Sequence, residues 1–170
     1  MAGTTNRIAN QGVYISSGFS TMNDTSLLLS GQLGQVVVQG EKVYQLVQFE
    51  SGIIAVVATT PVLWKSPSSF IVTDDYDATG ANRNQPAGVA LTTMTASSYG
   101  WIQVFGPGTV YTKTAEAASA GDSLVYDGAD SQVIKVAAGT APTYAPVAIA
   151  TGSQSANATA CYIVCPHNGW

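Results

Sequence analysis

An all-β fold, a small antiparallel barrel or sandwich behind an extended N-terminal arm, follows from three features of this 170-residue sequence. Short runs of β-branched and aromatic residues recur along the chain, each closed by Gly, Pro, Asp or Ser, the punctuation of strands and turns. No stretch keeps a helical apolar period for more than a turn or two, and the alanine-rich segment 115–120 lies between strand-like runs. The turns fall at the close spacing of sandwiches and barrels, which makes about eight to ten short strands.

Residues 1–35 are set apart as a separate arm. They are rich in Ser, Thr, Asn, Gln and Gly, with scattered apolar side chains at Ile8, Val13, Tyr14, Ile15 and Phe19. A segment without an apolar period is ordered mainly by what it touches, a neighbouring molecule or its own barrel. Those five residues are its candidate contacts, and 13–15 is the place for a short strand. Residues 36–170 make the barrel domain.

The regular part begins at 35–39, turns at Gly40-Glu41-Lys42 and continues as V-Y-Q-L-V-Q-F over 43–49. Ser51-Gly52 turns the chain again, so 43–49 and 53–59 are expected to pair as a hairpin. Residues 61–67 are expected to loop between two prolines and to hold Trp64, as a core plug or as an interface anchor. A strand at 70–73 leads into the acidic stretch 74–84. Further strands are expected at 89–92 and 101–105, the second stopped by Gly106-Pro107-Gly108, and then at 109–112, 124–126 and 133–136. Residues 146–150 and 161–165 echo 88–91 and 101–104, as two similar hairpins of one barrel. The chain ends P-H-N-G-W. Trp170 is expected to tuck into its own domain or a neighbour, and joins Trp64 among the candidate contact residues.

Composition narrows the function. Charged residues make up 9% of the chain, against about 25% in an ordinary soluble domain. A surface so poor in charge loses little when packed against a neighbour, because few ions need desolvating. That suits a subunit of a large assembly, or a stable β-protein with a bland exterior. The net charge of −4 and six scattered basic residues offer no cluster for phosphates, so no nucleic-acid partner is expected. No apolar run approaches the roughly 20 residues that span a bilayer, and the N-terminus lacks a signal-peptide core. No membrane partner is expected, and the protein is expected to be made in the cytoplasm. Cys161 and Cys165, four apart on one strand, have Cα atoms about 13 Å apart, too far for a disulfide. Free buried thiols are expected.

The chemistry-bearing residues do not assemble into a known reaction. His167 follows Pro166 near the end of the chain, without the carboxylate and nucleophile of a triad. Two Cys and one His fall short of a zinc site. Asp75-x-Asp77-x-Thr79-Gly80 opens like an EF-hand loop, but Pro86 stands where its bidentate Glu belongs, and no helices flank it. Gly106-Pro107-Gly108 is no phosphate loop, since proline removes an amide the anion needs. The expectation is a non-enzymatic protein with no catalytic residues, metal or cofactor.

Three stretches carry a resemblance: G-V-A-L at 88–91, Y-G-W-I-Q-V-F-G at 99–106 and A-G-D-S-L-V at 120–125. Together they resemble the β-domain of head-decoration (cement) proteins of tailed bacteriophages, over roughly 44–166. The resemblance implies a β-barrel or β-tulip, a homotrimer, and the major capsid protein as partner. It also implies a place on the outside of a virion head assembled in the host cytoplasm. An alternative from another class is a carbohydrate-binding or adhesive module of a head fibre or tail, stacking sugars on exposed Trp64, Tyr99 or Trp101.

Overall fold

The computed structural model describes residues 8–9, 12–13, 33–51, 55–75, 85–114, 116–127 and 132–165. Near the N-terminus β1 (Ile8–Ala9) and β2 (Gly12–Val13) pair with each other. β3 (Val36–Gln39) and β4 (Lys42–Phe49) follow as an antiparallel hairpin. Its two-residue turn begins at Gly40 with φ +60°, the left-handed backbone that a tight hairpin turn asks of its first residue. Then come β5 (Ala55–Val56), β6 (Pro61–Ser66), a 3₁₀ turn (Pro67–Ser69) and β7 (Ile71–Thr73). β8 (Pro86–Ala90), β9 (Met94–Thr95), β10 (Tyr99–Tyr111) and β11 (Ser123–Tyr126) lead to β12 (Val133–Val136), β13 (Ala148–Ala150) and β14 (Ala158–Val164).

The fold is all-β. Ten strands form one sheet in the order β12-β11-β13-β14-β10-β8-β6-β7-β4-β3, and β10 also pairs with β4. That extra pairing closes β4, β10, β8, β6 and β7 into a five-stranded barrel. The first half of β10 runs in the barrel wall, with Trp101 opposite Leu46. Its second half leaves the barrel and pairs with β14, from Phe105↔Val164 to Tyr111↔Ala158. There it becomes part of a second sheet with β14, β13, β11 and β12. This sheet curls until Thr112 meets Val133 in a parallel bridge.

Three apolar clusters match this plan. Val47, Phe49, Val62, Trp64, Val72, Ile102 and Val104, with their neighbours, fill the barrel. Leu124, Tyr126, Val147, Cys161, Ile163 and Cys165 line the concave side of the second sheet, together with Leu63 and Val89 from the barrel wall. The barrel therefore plugs the curled sheet. Tyr44, Leu46 and Trp101 form a smaller cluster on the outer barrel wall, with Val37 and Leu91 against it.

Several expected elements are rearranged. Strand β4 pairs with β3, β10 and β7, while β5 pairs with β9, so the hairpin lies one turn earlier than expected. Residues 61–66 are a strand, not a loop. Pro61 is tolerated because it opens the strand, where its missing N–H costs no ladder bond. The stop expected at Gly106-Pro107-Gly108 is absent, and β10 runs through it. The two similar hairpins lie in different layers: β8 pairs with the barrel half of β10, and β13 with β14 in the second sheet.

Candidate interaction surface

The passage of β10 between the two sheets explains the local sequence. At Gly106 φ is +99°, and a Cβ there would stand 2.2 Å from the Glu41 carbonyl oxygen; at Gly108 it would stand 2.8 Å from Ile163 Cδ1. Pro107 sits opposite Tyr162 in register. Gln103, 4% exposed, turns its amide onto the crossing. Its Nε2 donates toward the carbonyls of Phe105 (3.1 Å), Gly106 (3.2 Å) and Pro107 (3.0 Å). A buried carbonyl without a donor is costly, and the two N–H bonds of this amide, shared among the three acceptors, supply donors where the strand bends.

The crossing also exposes a residue that the sequence reading passed over. The register shifts between Gln103 and Phe105, a bulge of the kind that re-aims a side chain. Phe105 is 41% exposed and stacks edge-to-face on Tyr162, with ring centroids 5.1 Å apart. Val38, Val43, Phe105 and Val164 stand opposite one another on β3, β4, β10 and β14. Val38 is 64% exposed. This uncharged apolar row ends at β3, whose far edge has no strand partner among the described residues. The bulge could be suspected only once the register was known, and a lone exposed valine leaves no mark in sequence.

Trp64 lies in the barrel core, 3% exposed, with its ring edge-on to Phe70 at 6.4 Å. It occupies the place of a core plug. Tyr99 and Trp101 are equally buried, so the stacking face imagined for a sugar is not formed by these three rings. Ile8 and Val13 face each other in the β1–β2 register. Tyr14, Ile15, Phe19 and Trp170 lie outside the described residues, as do His167 and most of the acidic stretch.

Asp122, at the A-G-D turn, ties two loops together. One carboxylate oxygen accepts from the Ser119 amide at 2.9 Å and the other from the Ala138 amide at 3.0 Å. These bonds, the Ser119 one foremost, and the nearby Lys135 charge hold its pKa below the usual carboxylate value against the opposing effect of burial. Tyr126 is buried in the second core, and its hydroxyl donates to the Pro61 carbonyl. Burial pushes that phenol well up. Cys161 and Cys165 are free and buried, and burial raises the Cys161 thiol to about 12. A thiol that stays protonated is a poor nucleophile and a poor metal ligand.

At one barrel mouth a cavity of about 250 Å³ is lined by Gln48, Phe49, Glu50, Ser51, Lys65, Ile71 and Ser97. Lys65 Nζ pairs with Glu50 Oε1 at 3.3 Å. An exposed pair of this kind is worth little. Among the described residues, no three of His, Cys, Asp and Glu gather as a metal site.

No protein-family model matches the sequence, and comparison with curated proteins finds no match. Among solved structures, the chain is similar to the crystal structure of the head fiber gp8.5 N base in bacteriophage phi29, at TM-score 0.48 and 13% identity. The likeness covers 76% of this chain and 99% of that one. At that TM-score it decides neither fold nor function.

Proposed function

We propose that this chain is a virion structural protein, a decoration or cement subunit on the outside of a tailed-phage head that bridges neighbouring subunits of the major capsid protein. It acts by binding, not catalysis. The observation that carries the reading is where the resemblance falls. Residues 88–91 cover the last three residues of β8 and 99–106 the barrel half of β10, and these pair directly at Ile102↔Ala90 and Gln103↔Val89. Residues 120–125 hold the Asp122 tie and enter β11. The resemblance thus runs along the frame that joins barrel and curled sheet, as a shared architecture requires.

Two further features support it. The charge-poor surface costs little to desolvate at many junctions. The aromatic rings that a sugar-binding face would offer at Trp64, Tyr99 and Trp101 are spent on the cores, which counts against the adhesive alternative. In this reading three copies associate as a homotrimer, the arm of residues 1–35 grips a neighbour, and many weak contacts on one shell sum to a firm clamp.

The test is cosedimentation of the purified full-length chain with expanded, undecorated heads, alongside a panel of glycans. Saturable binding to heads, with rupture shifted to higher temperature and no glycan retained, is the expected result. A chain that stays in the supernatant and binds a glycan would transfer the assignment to the adhesive class.

A further inference from the structure

We propose that β3 is a docking strand for a second copy of this chain, pairing edge to edge with the same strand of its partner about a two-fold axis. The contact goes beyond the decoration role and does not depend on it.

The ten-stranded sheet has two unlike ends. At one end β12 is tied back, since Val133 bridges Thr112 and its carbonyl accepts from the Lys113 amide at 2.9 Å. At the other end β3 pairs with β4 and, among the described residues, with no other strand. Exposed strand edges template the pairing of further strands, and proteins usually blunt them with Lys, Pro or a bulge. β3 reads Val-Val-Val-Gln and has none of these. Val38, the most exposed large apolar side chain among the described residues, sits on it.

The hairpin settles which backbone groups face outward. Gln39 and Lys42 flank the two-residue turn and form its hydrogen-bonded pair. Alternation then turns the amides and carbonyls of Val38 and Val36 away from β4. Two copies of β3, antiparallel and centred on Val37, set Val36 of one against Val38 of the other, and each such pair exchanges two bonds. The Val38–Val43–Phe105–Val164 row of each copy then continues into Val36 of its partner.

Two observations favour a second copy as the occupant. The first is charge. Like copies with net charge −4 must meet where charge is absent, and β3 carries none. In this register the tip residues Glu41 and Lys42 lie beyond Gly34 and Gln35 of the partner, so no like charges meet. The second is closure. Strand addition through one open edge consumes that edge in both copies, so each contact closes on itself, whereas two unlike open edges would propagate as a fibre.

The test is the native mass of the full-length chain by light scattering over a dilution series, beside Val38→Pro and Val38→Lys. Proline removes the outward amide, and lysine adds a charge to the edge without touching the backbone; near-UV circular dichroism verifies that both fold. The expected result is that wild type at high concentration has a larger mass than either variant, twice as large where the variants are single chains. The Val36 and Val38 amides of wild type should also become more protected from hydrogen exchange as concentration rises. Equal masses for wild type and variants would overturn the proposal. So would exchange protection that is already complete at high dilution, because the edge would then be covered within a single chain. Neither readout uses phage heads, so failure here leaves the decoration role standing, and the converse holds.

Discussion

Asp122 shows how much one side chain does when it is placed at a junction. Its two oxygens hold the Ser119 and Ala138 amides, and so the approach to β11 and the exit from β12. Because these bonds favour the ionised form, its folded pKa lies below the unfolded value. The stabilisation is therefore fully present above the unfolded value of about 3.9, and drains away as pH falls through the lower folded value. Asp122→Asn should unfold at lower urea than wild type near neutral pH, and the gap should narrow as pH falls below the unfolded value and through the lower folded one. Urea midpoints across pH check this; a gap independent of pH would mean that the carboxylate charge does not matter. The turn itself was legible, because A-G-D is turn chemistry wherever it stands. Trp64 was not, since a tryptophan between prolines has the same signature as plug or anchor. Gln103 was less legible still, because its three acceptors become neighbours only after the strand has bent.

At the scale of elements, most strand positions were readable, 61–66 excepted, and strand partners were not. Runs at 43–49 and 133–136 emerge within a residue of expectation, because β-branched alternation is a local signal. Pairing is a long-range choice, and the turn at Ser51-Gly52 suggested the wrong neighbour for β4. The continuity of β10 was hidden for a related reason. Gly-Pro-Gly breaks strands by local rules, but here glycines make room for Glu41 and Ile163, while Gln103 satisfies the carbonyls. Gly106→Ala should cost about 2–4 kcal/mol, from left-handed strain plus overpacking against the Glu41 carbonyl. Gly139→Ala, at φ +84° with open space around it, should cost only the strain, about 1 kcal/mol. Thermal melts of the two variants test the crossing: equal losses would mean that the Glu41 hairpin yields freely and that β10 is not clamped there.

The molecule as a whole is a barrel and a curled sheet sharing one long strand. Thirteen residues of β10 span about 40 Å, so the two layers, each with its own core, are joined through a continuous backbone. Leu63 and Val89 plug one into the other. A body built this way resists shear between its layers, which suits a subunit whose role is to hold other subunits together. The most direct measurement is a cryo-electron microscopy reconstruction of heads assembled from the major capsid protein in the presence of the full-length chain. Ordered density for the barrel and curled sheet is expected on the outer surface, seated over junctions between capsid subunits. A bare outer surface, or the chain found only on fibres or tails, would contradict the decoration role.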